Sequence, residues 1–289
     1  MPGGPKRPYE RMVAVLATMH GKERVMAPIL EEGLGLVVGL ALGVDTDRFG
    51  TFSGDVERSG SPLEAARAKI TAGFEYAPLA QIGLASEGSF GSHPRLPFLA
   101  LGQELVLLAD RRTGLELTGH DISPRTNFAH RLVFDLDQAS EFASQVGFPE
   151  HGVIVIAGRD EGPAPDIFLD KESVDPPALA SAVAAAIDLC GAAFLQTDMR
   201  AHRNPTRMAA IGLATRDLVR RFNSRCPRCD HPGFDVIERV PGLPCADCGE
   251  PTLAIQAEVL ACPACGHRRS RPATHATVAD PGRCESCNP

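Results

Sequence analysis

The run MVAVLATMHGKERVMAPILEEGLGLVVGLALGV, from Met12 to Val44, decides the fold. Met12–Thr18 is a compact apolar stretch with the length of a strand. Lys22–Glu32 follows with Val25, Ile29 and Leu30 at helical spacing, and Pro28 predicts a kink or an early end to that helix. Leu34–Val44 reads as a second strand. Strand, helix and strand within roughly thirty residues make the unit from which α/β sheets are built.

The alternation continues outward from this unit. Ser61 suits a helix N-cap and Pro62 the first helical position, so a helix is predicted from there to Tyr76. Gln81–Ala85 reads as a third strand, ending in a Gly-rich loop from Ser86 to Gly91. Phe98–Asp110 and Gly114–Thr118 resemble a hairpin around Arg111–Thr113. A helix near Gln138–Val146, a strand at Val153–Ala157, a helix at Pro177–Cys190 and a strand at Ala193–Gln196 come next. Asn204-Pro205 caps a last helix to about Phe222. The predicted fold is α/β, a mixed sheet flanked by helices over residues 1–223, with a small cysteine-rich module over 224–289.

That module carries four Cys-x-x-Cys knuckles: Cys226/Cys229, Cys245/Cys248, Cys262/Cys265 and Cys284/Cys287. Two residues between thiolates let a tight turn aim both sulfurs at one ion, and zinc takes four such ligands in a tetrahedron. Eight cysteines therefore predict two structural Zn2+ ions. Sequential pairing of the knuckles keeps each loop shortest; nested and crossed pairings stay open. His231, His267 or His275 could replace a thiolate. Gly233–Val240 and Thr252–Ala261 read as strands between knuckles. Cys190 stands apart in an apolar helical stretch and reads as a small buried hydrophobe.

Composition excludes several classes. The chain is 44% hydrophobic and 22% charged, which is ordinary for a globular protein. Its apolar runs are too broken to span a bilayer, so no membrane partner is predicted. The Pro- and Gly-rich Met1–Arg11 stretch does not read as a secretory signal, and a reducing cytoplasm is expected. A net charge of −7 gives nucleic-acid binding no support. From Ser224 onward, seven Arg face eight Asp and Glu with no Lys, so the module adds no basic surface.

Candidate chemistry sits at strand ends, where open α/β sheets place their ligands. Thr18-Met19-His20-Gly21-Lys22 could hold phosphate through backbone N–H groups and an ammonium, or be a plain strand–helix turn. Ser59-Gly60-Ser61-Pro62-Leu63-Glu64 opens a helix that also carries Arg67 and Lys69. Glu64 there also reads as a partner of the helix dipole. Glu87 lies among Ser86, Gly88 and Ser89, where a turn would favour Asp or Asn, so a ligand or metal role is favoured. Arg200, Arg203 and Arg207 flank the Asn204 cap and could grip a phosphate or a purine edge. His93 and His120 are further candidate bases.

In this order the motifs are similar to the inosine/xanthosine triphosphate pyrophosphatase superfamily, loosely over residues 12–190. That resemblance implies phosphate binding by Thr18 and Lys22, with Arg67 and Lys69 as weaker candidates. It implies Mg2+ on Glu64 and Glu87, and hydrolysis of nucleoside triphosphates to monophosphate and pyrophosphate. His20 replaces the Asn common in that loop, and a single Glu87 replaces a double Asp. Ser86 and Ser89 are then possible substrate contacts. The whole chain resembles domain of unknown function 6671, through Ala85–Gly91, Thr197–Arg200, Asn204–Met208 and the knuckles. The competing expectation is a non-catalytic nucleotide-sensing protein whose zinc module docks a protein or nucleic acid, or self-associates.

Overall fold

The computed structural model describes residues 8–50, 60–159 and 162–289. Ser59 and most of the Pro- and Gly-rich N-terminal stretch lie outside the described residues. The chain divides into two compact units, Met1–Val219 and Arg220–Pro289.

The first unit holds two sheets. In chain order its elements are β1 (Val13–Leu16), α1 (Glu23–Leu34), β2 (Val37–Leu40), α2 (Pro62–Tyr76), β3 (Ile82–Ser92), β4 (Ala100–Asp110) and β5 (Leu115–Ser123). Then come β6 (His130–Val133), α3 (Leu136–Val146), β7 (Val153–Arg159), β8 (Gly162–Asp170), α4 (Pro176–Cys190), β9 (Ala192–Thr197) and α5 (Pro205–Asn223), whose last turn falls within the second unit. A mixed sheet runs β2-β1-β3-β4-β5, with β1 parallel to β2 and β3, and β4 antiparallel to both neighbours. A second, antiparallel sheet runs β6-β9-β7-β8.

Local sequence explains the helices. In α1, Met26, Ile29, Leu30 and Leu34 fall on one buried face, and Gly35 ends the helix in the left-handed region at φ 77°. Pro28 neither shortens nor ends this helix. In α2, Ser61 and Glu64 form a reciprocal capping box ahead of Pro62. Asp135 and Asp175 cap α3 and α4 through their carboxylates. Phe142, Val146, Val153, Val155, Leu179 and Leu195 build the core under the second sheet.

The structure corrects one prediction with consequences for the site. The segment Ser86–Gly91 is not a loop: β3 runs unbroken to Ser92, paired residue for residue with β4. Gly88 serves close approach rather than turning. A Cβ on Gly88 would sit 2.5 Å from Glu104 Oε1 and 2.7 Å from Arg207 Nη2. Cys190 is half-buried rather than buried.

The second unit is a three-stranded antiparallel sheet in the order β10 (Asp235–Pro241), β11 (Ile255–Ala261), β12 (Arg268–Pro272). Its apolar core is small: Phe234 and Leu260 with the Cys226 and Cys262 side chains, flanked by Val236.

Candidate functional site

Each knuckle of the second unit is built alike. The residue after the second cysteine donates its N–H to the carbonyl of the first: Asp230 to Cys226 at 2.9 Å, Gly249 to Cys245 at 3.0 Å, Gly266 to Cys262 at 3.1 Å and Asn288 to Cys284 at 2.8 Å. Gly249 and Gly266 take φ of 75° and 69°, which a glycine adopts without strain, and Asp230 takes φ 57°. One cysteine of each pair is buried and the other exposed.

The knuckles pair first with third and second with fourth. Cys226, Cys229, Cys262 and Cys265 converge, and so do Cys245, Cys248, Cys284 and Cys287. This crossed arrangement corrects the sequential pairing that loop length favours. The reason lies in the sheet: β10 and β11 pair antiparallel, which carries the ends next to Cys229 and Cys262 to the same edge. The Cys226–Cys265 and Cys229–Cys262 sulfurs are 3.7 and 3.6 Å apart, and Cys245–Cys287 and Cys248–Cys284 are 3.8 and 3.6 Å. Zinc–sulfur bonds of about 2.3 Å in a tetrahedron place sulfurs about 3.8 Å apart, whereas a disulfide needs about 2.05 Å. Each group could hold a zinc ion. Among the described residues no histidine joins either group.

In the first unit a narrow cleft of about 40 Å³ lies where several strands and helices end. It brings together Thr18 after β1, Lys22 before α1, Lys69 on α2, Glu87 on β3, and Arg200 and Arg207 beside the Asn204 cap. Lys22 is 6% exposed and donates to the Ser86 carbonyl at 2.9 Å. Lys69 forms an ion pair with Glu87. Arg207 Nε donates to Glu104 Oε1 at 2.7 Å, both groups fully enclosed, and its guanidinium lies over the Phe90 ring. Burial first, then the neighbouring Arg207 and Lys69 cations, pull the Lys22 ammonium down to about 7.

Other expected site residues lie elsewhere. Glu64 closes the capping box: its Oε2 accepts from Ser61 N at 2.7 Å and Ser61 Oγ at 2.8 Å. It does not line the cleft, so Glu64 and Glu87 do not face a common ion there. The capping geometry at a helix start, already visible in Ser61-Pro62, explains this. Arg67 pairs with Glu116 at 2.7 Å on the exposed surface. Arg203 donates to the Ser173 carbonyl at 2.6 Å, and Ser89 lies outside the lining. His93 Nδ1 accepts two backbone N–H groups of its own turn, and His120 pairs with Thr118 Oγ1 at 2.9 Å. Among the described residues, groups of three or more metal-ligating side chains are confined to the two cysteine sets, which leaves Mg2+ without a preformed cage.

The cleft also holds residues that the sequence did not single out: Asp47 and Lys171, with Glu104 behind Arg207. Asp47 follows β2 as part of Asp45-Thr46-Asp47, a polar cluster at a strand end and the one signal available. Nothing local marks Lys171.

Fold and sites together define an α/β protein with a cation-rich cleft, joined to a cysteine-rich unit with two four-cysteine groups. The chain belongs to the family Domain of unknown function (DUF6671), whose model matches residues 74–289. The match begins after Thr18, His20, Lys22, Asp47 and Lys69. No curated protein matches the chain. Among the described residues no helix is long and apolar enough to cross a membrane.

Proposed function

We propose that the cleft binds the phosphate groups of a nucleotide, while two structural zinc ions hold the second unit together. The carrying observation is the charge of the lining. Lys22, Lys69, Lys171, Arg200 and Arg207 face two carboxylates, Asp47 and Glu87. Lys69, Arg200 and Arg207 are ion-paired with Glu87, Asp198 and Glu104, while the enclosed Lys22 is held by a backbone carbonyl, and a buried ammonium in such a cluster favours an anionic ligand. The free thiolates required for zinc fit a reducing compartment such as the cytoplasm.

The hydrolytic form of this reading is cleavage of nucleoside triphosphates, including non-standard ones, to monophosphate and pyrophosphate. Mg2+ is commonly held by one or two carboxylates plus the substrate's own phosphates, so a preformed cage is not required. Glu87 is the carboxylate available, with Lys69 moving to a phosphate oxygen. Lys22 and Thr18 would then hold the phosphates, and Arg200 and Arg207 would balance charge as the anhydride breaks. The non-catalytic alternative uses the same cleft as a sensor and docks a protein partner through the zinc unit.

A thermal-shift panel of ordinary and deaminated nucleoside triphosphates, with pyrophosphate assayed on every hit, separates these readings. Binding stabilises by about 2.7 kcal/mol at a hundredfold excess over Kd. Turnover with Mg2+ supports the enzyme, stabilisation without turnover supports the sensor, and neither response to any nucleotide removes the proposal.

The state of Lys22 gives a second expected result. Its folded value lies below the unfolded one, so over the window from about 7 to 10.5 the unfolded chain holds the proton and the folded one does not. This group therefore makes stability rise with pH through that window. A bound phosphate reverses the preference by drawing the proton onto Lys22. Nucleotide affinity should thus fall as pH rises above 7, by up to about tenfold per unit, with proton uptake visible as buffer-dependent heat in calorimetry. Lys22→Met should flatten the pH dependence; an unchanged slope would exclude Lys22 from the phosphate site.

A further inference from the structure

The hydrolytic reading leaves the proton of the attacking water without an acceptor. Glu87 is held by Lys69, and the lysines and arginines of the lining act as cations toward phosphate. His20 is different. It lines the cleft with its side chain 15% exposed, and its Nε2 lies 3.2 Å from Asp47 Oδ1. Donating Nε2–H to Asp47 selects the tautomer whose Nδ1 carries a lone pair. Among the described residues that nitrogen has no hydrogen-bond partner.

The residue is held through both its backbone and its ring. The His20 N–H donates to Thr18 Oγ1 at 3.2 Å, and Gly21 turns the chain at φ 68° directly before Lys22. The His202 ring stacks on it with centroids 5.0 Å apart and planes 20° apart. Asp47 is itself ordered by its backbone N–H, which donates to Asp45 Oδ1 at 3.0 Å. Its carboxyl is held below the ordinary range, first by the His20 hydrogen bond, with Lys171 and Lys69 adding to the effect. On the other side His202 is kept toward the neutral form by burial, then by His20 and Arg200, with Asp198 opposing and Arg203 assisting. A base, an orienting carboxylate and a phosphate-binding lysine within one cleft follow the general logic of an activated nucleophile.

We propose that His20 is the general base and Asp47 its orienting partner for hydrolysis of a phosphoanhydride bound in the cleft, an inference that rests on the hydrolytic reading above. The water oxygen bonds to phosphorus while its proton passes to His20 Nδ1. The bridging P–O bond breaks, and its electron pair leaves on the departing phosphate oxygen. The imidazolium then returns the proton to that oxygen or to solvent.

The test uses the full-length protein with the best nucleotide from the panel, measuring turnover and, with a non-hydrolysable analogue, affinity. His20→Gln should lower kcat by about 10²–10⁴-fold with affinity unchanged and melting preserved. Asp47→Asn should lower kcat while leaving Nδ1 in place. Added imidazole should restore part of the rate to His20→Gly. Variants that keep wild-type kcat, or lose affinity in step with kcat, overturn the base role while leaving the hydrolytic reading intact. Wild-type protein that binds without turnover overturns both.

Discussion

Replacing Cys262 with Ser is expected to reduce purified protein from two zinc ions per chain to one and to unfold the Cys226–Cys265 half of the second unit. Metal analysis reads the first effect, and loss of amide protection in β10 and β11 reads the second. Cys262 is 3% exposed and packs with Phe234 and Leu260, so the substitution removes a ligand and disturbs a core of very few side chains. A hydroxyl is a poor zinc ligand beside thiolates. A unit of this size has too little apolar burial to persist without its metals. Cys265→Ser, on the exposed side of the same group, should weaken metal binding and spare the packing. Wild-type protein without zinc, or a Cys262→Ser protein that keeps two ions, contradicts the assignment.

Arg207→Leu is expected to be the most damaging single substitution in the first unit. It removes the partner of Glu104 Oε1, in a carboxylate that is 1% exposed and whose Oε2 accepts no hydrogen bond among the described residues. Breaking an enclosed ion pair from one side costs about 3–5 kcal/mol, because the remaining charge has neither water nor a partner. For a domain of this size that corresponds to a fall in Tm of about 6–20 °C. The double replacement Arg207→Leu with Glu104→Leu should recover most of the loss, since apolar residues in place of both charges remove the desolvation penalty. If the double variant melts no higher than the single one, the damage comes from packing around Phe90 and Gly88 instead. Nucleotide affinity should drop in both proteins, which separates the stability role from the ligand role.

Much of this architecture is written in local pattern. The α/β alternation, the Ser61 and Asn204 caps and the hairpin between β4 and β5 follow from apolar period and turn chemistry. Strands without that pattern were not legible. β12 reads Arg-Arg-Ser-Arg-Pro and is exposed throughout, so no alternation marks it. β6 has four residues, and β8 mixes Pro and Asp with apolar positions. Gly88, in the far half of β3, leaves room for Glu104 and Arg207, whose own contact spans more than a hundred residues of chain. The candidate site divides the same way. Lys22 carries a local signal at a helix start and Asp47 a weak one in the polar cluster after β2, and Lys69 and Glu87 lie in segments marked by their local pattern, whereas Lys171 and Glu104 acquire their places only through tertiary packing. Glu64 shows the converse, a charge whose local role at a helix start leaves it outside the cleft.

The order in which the cysteines pair has a consequence for how the second unit can be made and inherited. A cut anywhere between Cys248 and Cys262 would divide both ligand sets, whereas a sequential arrangement would leave two complete ones. The unit therefore has no smaller working part that could be duplicated or transplanted alone. During synthesis the ribosome must deliver Cys265 before the first set can close, by which time half of the second set already hangs in the intervening loop. Closure of one ion thus sets the register in which the other is captured.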